Sequence, residues 1–144
     1  MKRPVAVVDA SVAIKWLLPE EDQEIAYRLQ DQYQDGAIDL IAPELLLSEV
    51  GNALWKRVRR RELTPSAAGI LFDGLLRDVP ILVNSVAIHR RALSLSLESD
   101  RPIYDCEYLA LALDHRCDLV TADARFYQAV RQAWPRVKLL RDMG

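Results

Sequence analysis

A chain of 144 residues, 51% hydrophobic and 28% charged, has the length of one domain and a composition that excludes a disordered or fibrous class. Its formal net charge of -2 excludes a global pull toward nucleic acid or membrane, so any such partner must be met by a local patch. Lys2 and Arg3 precede an apolar run as in a secretory leader, but Asp9 and Lys15 interrupt it and no small-residue cleavage site follows. No apolar stretch approaches the roughly 18 residues of a membrane span. One cytoplasmic domain over residues 1–144 is expected. Cys106 and Cys117 form no C-x-x-C and have no zinc-type partners, so they are expected as reduced core thiols.

Residues 4–8, "PVAVV", predict a short buried strand that ends on a carboxylate, Asp9. Helical spacing follows and stops at Pro19. Ile25, Ala26, Leu29 and Tyr33 recur at three and four residues, an amphipathic helix ending near Asp35 and Gly36. "IDLIAPE" reads as a strand, and Pro43 as the start of a helix whose apolar run carries Ser48, Glu49 and Asn52 before "KRVRRRE". "LTPSAAGILFDGLLRDV" is helical, with Thr64 as cap and Pro65 in its first turn. "PILVNS" is a strand or a loop, and "VAIHRRALSLSLES" and "YDCEYLALALDHR" are helices. "CDLVTAD" is a second buried strand ending on a carboxylate, "ARFYQAVRQAW" a helix closed by Pro135, and "RVKLL" a last strand. Strands alternating with helices predict an α/β class with a short, mostly parallel sheet and helices on both faces.

In open α/β sheets the functional crevice lies beyond the carboxyl ends of the strands. Asp9 and Asp123 stand at two such ends, Asp105 opens an apolar helix, and Glu49 lies inside another. Each acid has a plainer reading. Asp105 and Asp123 suit N-caps, Asp9 or Ser11 suits the cap of the helix that follows, and Glu49 suits an ion pair with Lys56 or Arg57. If all four converge, each pair about 4 Å apart costs on the order of 4 kcal/mol at an effective dielectric near 20. Such a cluster needs a cation or protons. An oxygen-only set without His or Cys favours Mg²⁺ or Mn²⁺, whose chemistry with water and phosphate points to phosphodiester hydrolysis.

"VVDASVAIKWL", "LLLSEVGNAL", "YDCEYLALA" and "LVTADARFY" resemble, in order and spacing, the motifs of the PIN domain, most nearly the VapC-type toxins of toxin–antitoxin pairs. The resemblance spans about residues 5–140 and implies a three-layer α/β/α fold, a Mg²⁺- or Mn²⁺-dependent endoribonuclease activity, a homodimer and a silencing antitoxin. It further implies that Asp9 and Asp105 ligate metal and that Glu49 and Asp123 complete the acidic site. Thr121 then resembles the hydroxyl residue supporting the last Asp, Asn52 the polar neighbour one turn after the Glu, and Ser11 a supporting hydroxyl. Cys106 and Glu107 depart from the more usual Ala and apolar residue without removing a ligand.

Lys56, Arg57 and Arg60 read either as a solvated, dipole-favoured helix end or as a patch for an RNA backbone, and Lys15 either as a surface residue or as a phosphate contact. His89 and His115 are expected in surface or capping roles. Trp16, Trp55 and Trp134 are expected to pack in the core or an interface, with base stacking the alternative. The apolar side of the helix over residues 20–33, with "AIKWLL", reads as core or as a dimer surface. Two other functions compete. A phosphoacceptor receiver domain needs an acidic pair after the first strand and a lysine near the end of the last, whereas "VVDAS" has one acid and "VKLL" supplies no matching lysine. A catalytically inactive PIN-like module that only binds RNA or protein would have no reason to keep all four acids.

Overall fold

The computed structural model describes residues 2–144. Five strands form one sheet: β1 (Val5–Val8), β2 (Asp39–Pro43), β3 (Ile81–Val83), β4 (Asp118–Thr121) and β5 (Val137–Leu139). Their order is β3-β2-β1-β4-β5, and all four pairings are parallel. The central position of β1 follows from its side chains. Ala6, Val7 and Val8 are all buried, the unbroken apolar pattern of a strand covered on both faces. The edge strands β3 and β5 are shorter and each leaves residues to solvent.

The crossovers are helical. Between β1 and β2 come α1 (Ala10–Ala13), a 3-10 turn (Ile14–Trp16) and α2 (Gln23–Gln34). Between β2 and β3 come α3 (Leu45–Arg59) and α4 (Pro65–Arg77). Next, α5 (Val86–Ser99) and α6 (Ile103–His115) precede β4, and α7 (Ala124–Val130) precedes β5. The strand order reverses at β1, because β2 and β3 are laid on one side of it and β4 and β5 on the other. This is the topological switch at which an open α/β sheet forms its crevice.

The helix α6 lies across β2, β1 and β4 while α5 packs on its outer side. Seven consecutive residues, Cys106 to Ala112, are therefore buried, where a surface helix would bury one stripe. The outer helix α5 shows such a stripe in Ile88, Ala92 and Leu95. Elsewhere α3 packs against α1, β2 and α4. Gly51 permits the α4 contact, because a Cβ there would meet Phe72 Cε1 at 3.3 Å. Cys106 and Cys117 are buried and free, as expected. Thr64 caps α4 through the Ala67 amide, and Gly36, at φ 76, follows α2 in the left-handed conformation that favours glycine. Among the described residues no helix is long and apolar enough to cross a membrane.

Two expectations need correction. Pro43 closes β2, pairing with Val83, and α3 begins two residues later. The helix after β4 ends at Val130, and a turn follows in which the Trp134 amide donates to the Val130 carbonyl at 2.9 Å. For the apolar side of α2, left open between core and dimer surface, Ala26 and Leu29 are buried in the core, and Trp16 Nε1 donates to the Ala26 carbonyl at 2.9 Å. Of the readings left open for Trp55, its 51% exposure excludes the core and leaves an interface or base stacking.

Phe126, 2% exposed, anchors α7 three residues after Asp123. Phe126→Ala is expected to lower unfolding stability by about 3–5 kcal/mol, read as a fall in the urea midpoint at an unchanged slope.

Candidate active site

The register of β1 with β4, Val8 opposite Val120, brings the ends of both strands together across more than a hundred residues of chain. The Asp9 amide extends this ladder by donating to the Val120 carbonyl at 3.3 Å. Asp9 then turns the chain into α1 as its N-cap, accepting from the Val12 amide at 3.4 Å on Oδ1. The Ser11 hydroxyl donates to the same Oδ1 and accepts from the Ala122 amide at 2.8 Å, tying the loop after β4 to Asp9. Thr121, wholly buried, accepts the Asp123 amide on Oγ1 at 3.1 Å, and Asp123 Oδ1 in turn accepts from the Arg125 and Phe126 amides as the cap of α7. The capping roles of Asp9 and Asp123 are thus real. They leave both residues on the wall of one cleft.

That cleft, about 300 Å³, is lined by all four acids, Asp9, Glu49, Asp105 and Asp123, together with Ser11, Asn52, Lys56 and Tyr108. Glu49 arrives from α3, where Glu49, Asn52, Ala53 and Lys56 follow one another at three and four residues along the cleft side. Glu49 does not pair with Lys56 or Arg57. Its Oε1 accepts from the Tyr108 hydroxyl at 2.6 Å. Asp105 is the third residue of α6 and not its cap, which is Pro102, and Arg101 Nη2 lies 3.6 Å from its Oδ2.

Two of the four basic candidates lie elsewhere. Lys15 is 8% exposed and its ammonium pairs with Glu20 at 3.3 Å, so it is no surface lysine. Arg57 is shared between Glu20 at 3.4 Å and Glu62 at 3.3 Å. Lys56 borders the cleft, and Arg60 lies one turn beyond it. His89 is exposed and pairs with Glu107, and His115 meets the Leu111 carbonyl, both away from the cleft.

The electrostatics reflect crowding of like charge. Burial pushes the Asp9 carboxyl up to about 6; bonds from Ser11, Thr121 and Val12 oppose the rise and Glu49 adds to it. Glu49 is raised chiefly by burial and further by Asp105 and Glu107, against the bond from Tyr108. Asp105 is raised by burial and by Asp123, against the pull of Arg101. Tyr108 is held in its phenol form by burial and by the charge of Glu49. The four acids form a repelling series, Asp9 to Glu49 to Asp105 to Asp123. As they stand, each is engaged by a donor of the protein, and among the described residues no three Asp, Glu, His or Cys side chains are drawn together closely enough to cage an ion. The donor set nonetheless fits a hard divalent cation. Mg²⁺ binds through one or two carboxylates and keeps several waters, so it needs no closed cage.

Tyr108 and Arg101 were not legible as site residues in the sequence. The available signal for Tyr108 was its place three residues after Asp105, on the same side of a helix; Arg101 lies one turn before that Asp.

A profile of the PIN domain matches residues 6–132. The chain belongs to the PIN-domain family. It is 35% identical over 119 residues to Ribonuclease VapC3 of Pyrobaculum aerophilum, covering 81% of this chain and 88% of that relative. The crystal structure of PAE2754 from the same organism superposes with a TM-score of 0.72 at 20% identity, over 99% of this chain and 95% of the other. A toxin-antitoxin complex from Klebsiella pneumoniae contains a chain with a TM-score of 0.59 at 18% identity, over 94% and 97%. These two share the PIN fold, a parallel sheet between two helical layers.

Because the Asp9 carboxyl titrates near 6 in the fold and near 3.8 ordinarily, its protonated form is favoured on folding. That contribution is complete below about pH 4 and disappears as pH rises through about 6, on the order of 3 kcal/mol in all. Asp9→Asn keeps an acceptor at Oδ1 without the charge. The metal-free variant is expected to melt several degrees above the parent at pH 7.5, with the difference closing near pH 4, as followed by circular dichroism.

Proposed function

We propose that this PIN-domain chain is a Mg²⁺- or Mn²⁺-dependent endoribonuclease that serves as the toxin of a toxin–antitoxin pair. The convergence of Asp9, Glu49, Asp105 and Asp123 on one cleft carries the reading. It is supported by the 35% identity to a protein named as a ribonuclease and by a likeness in fold to a member of a toxin-antitoxin complex. Asp9 and Asp105 would hold the ion, with Glu49 and Asp123 completing its surroundings. The bound cation would supply charge neutralisation at the phosphate and a water of lowered pKa.

The side chains divide the remaining work. Ser11 and the Val12 amide hold Asp9 by Oδ1 and would thereby orient its carboxylate for a bound ion. Tyr108 fixes the Glu49 carboxylate by one oxygen, and the raised proton affinity of that carboxylate suits it to take the proton of the attacking water. Water adds to phosphorus as the bond to the 3′ oxygen breaks, its proton passing to Glu49, and the departing 3′ oxygen takes a proton from solvent, so the products are a 5′ phosphate and a 3′ hydroxyl. Lys56 meets the substrate phosphates at the cleft edge. Arg101, 3.6 Å from Asp105 Oδ2, offsets part of the repulsion among the acids.

A homodimer and a cognate antitoxin belong to the same proposal. Val86, Leu93 and Leu97, exposed along α5, are apolar surface available to self-association, and light scattering on the eluted protein reads the mass directly.

The purified chain is expected to cleave single-stranded RNA with Mg²⁺ or Mn²⁺, to stop in EDTA, and to recover when metal is restored. Glu49→Gln and Asp105→Asn are each expected to slow cleavage by about 10²-fold or more, measured on a labelled oligonucleotide whose ends are then typed. Cleavage that survives both EDTA and Asp9→Asn would contradict the mechanism. A folded, metal-replete chain that binds RNA without cutting it would be the inactive binding module.

A further inference from the structure

The cleft row of α3 does not end at Lys56. Arg59 and Arg60 continue it at the next turn, and with Trp55 and Lys56 they line a shallow pocket of about 350 Å³. Lys56 borders both this pocket and the acidic cleft, so the two are contiguous. Seven residues of helix separate Glu49 from Lys56, about 10 Å along the axis. The pocket therefore lies within reach of the nucleotides next to a phosphate held among the acids.

Its chemistry is that of a base-stacking platform. Trp55 is half exposed, and the Arg59 guanidinium lies 4.9 Å from its ring centroid, covering part of the indole with a planar cation. The basic residues of this helix end also divide sharply. Arg57 is committed to Glu20 and Glu62, whereas Lys56, Arg59 and Arg60 enter no ion pair among the described residues. An exposed indole among three free cations matches an unpaired base flanked by its phosphates. An apolar protein segment would leave those charges without partners.

We propose that Trp55, with Lys56, Arg59 and Arg60, forms a nucleotide subsite that stacks one base of single-stranded RNA beside the scissile phosphate. It rests on the reading of RNA as substrate, and it assigns Trp55 the task of setting where along the strand the cleft engages.

The test is direct binding, by fluorescence anisotropy in Mg²⁺, of a single-stranded RNA oligonucleotide to the full chain carrying Glu49→Gln. A second series carries an abasic ribose stepped through each position. With Trp55 present, one abasic position is expected to weaken binding by about 10- to 100-fold. Trp55→Ala should bind the intact oligonucleotide equally weakly and lose its sensitivity to that position, while Trp55→Phe retains most of both. Arg60→Ala should flatten the dependence of log K on log salt by about 0.7 for one lost phosphate contact, and Trp55→Ala should leave that slope alone. Unchanged melting of each variant excludes a folding defect. Equal affinities for the Trp55→Ala chain and its parent, or no position-specific abasic effect, would overturn the subsite even if cleavage is confirmed. Loss of binding to a protein inhibitor with RNA binding intact would overturn it in favour of a protein-docking surface. A position-specific effect in a chain whose parent never cuts RNA would uphold the subsite and reject the nuclease.

Discussion

Everything at the candidate site depends on the parallel pairing of β1 with β4. These strands lie over a hundred residues apart in sequence, and their ladder ends with Val8 beside Val120. Asp9 follows Val8 directly, while β4 runs on through Thr121 against Leu139 and reaches Asp123 two residues later, and each carboxylate caps the next helix. The Ser11 hydroxyl spans the gap, donating to Asp9 and accepting from the Ala122 amide. A slip of one residue in this register would move Asp9 and Thr121 apart and turn the buried valines of β1 to the wrong face. Fold and site are therefore specified by the same contact.

The site is assembled against its own electrostatics. Burial raises Asp9, Glu49 and Asp105, and each feels at least one neighbouring acid. Protein donors moderate the cost without removing it: Ser11 for Asp9, Tyr108 for Glu49, Arg101 for Asp105. A divalent cation held there, as proposed, would relieve this repulsion and stabilise the fold in the same act. The same frustration at one place in an otherwise consistent fold is the usual mark of function.

The helix α3 changes character along its length. Its first half supplies Leu46 and Val50 to the core and Glu49 to the cleft, and its last turn presents Trp55 and three unpaired cations to solvent. One rigid element thus carries an acidic centre and a basic, aromatic flank at a fixed separation. The exposure of Trp55 was not legible in the sequence because "NALWKRV" places it within an apolar helical run. Periodicity there marks which residues share a face, but which face meets the sheet is decided by α1 and α4 packing beside it. Lys15 was misread for the converse reason. A lysine is ordinarily solvated, and only the fold of the 3-10 turn against Glu20 buries it.

By itself the sequence determined the elements and their class. β-branched runs of four or five residues, helical periods, the Thr64 cap and the prolines are local signals, and alternation of strand and helix is enough to imply a parallel sheet. The four acids were equally legible, since a carboxylate at the tip of a buried strand or within an apolar helix conflicts with its surroundings wherever the chain goes. Tertiary structure alone decided the rest. Strand order, the bond from Tyr108 to Glu49, the diversion of Arg57 and Lys15 to Glu20, and the exposure of Trp55 all involve partners distant in sequence or on separate elements. No local pattern encodes such a partner, because its free energy exists only after the intervening chain has folded.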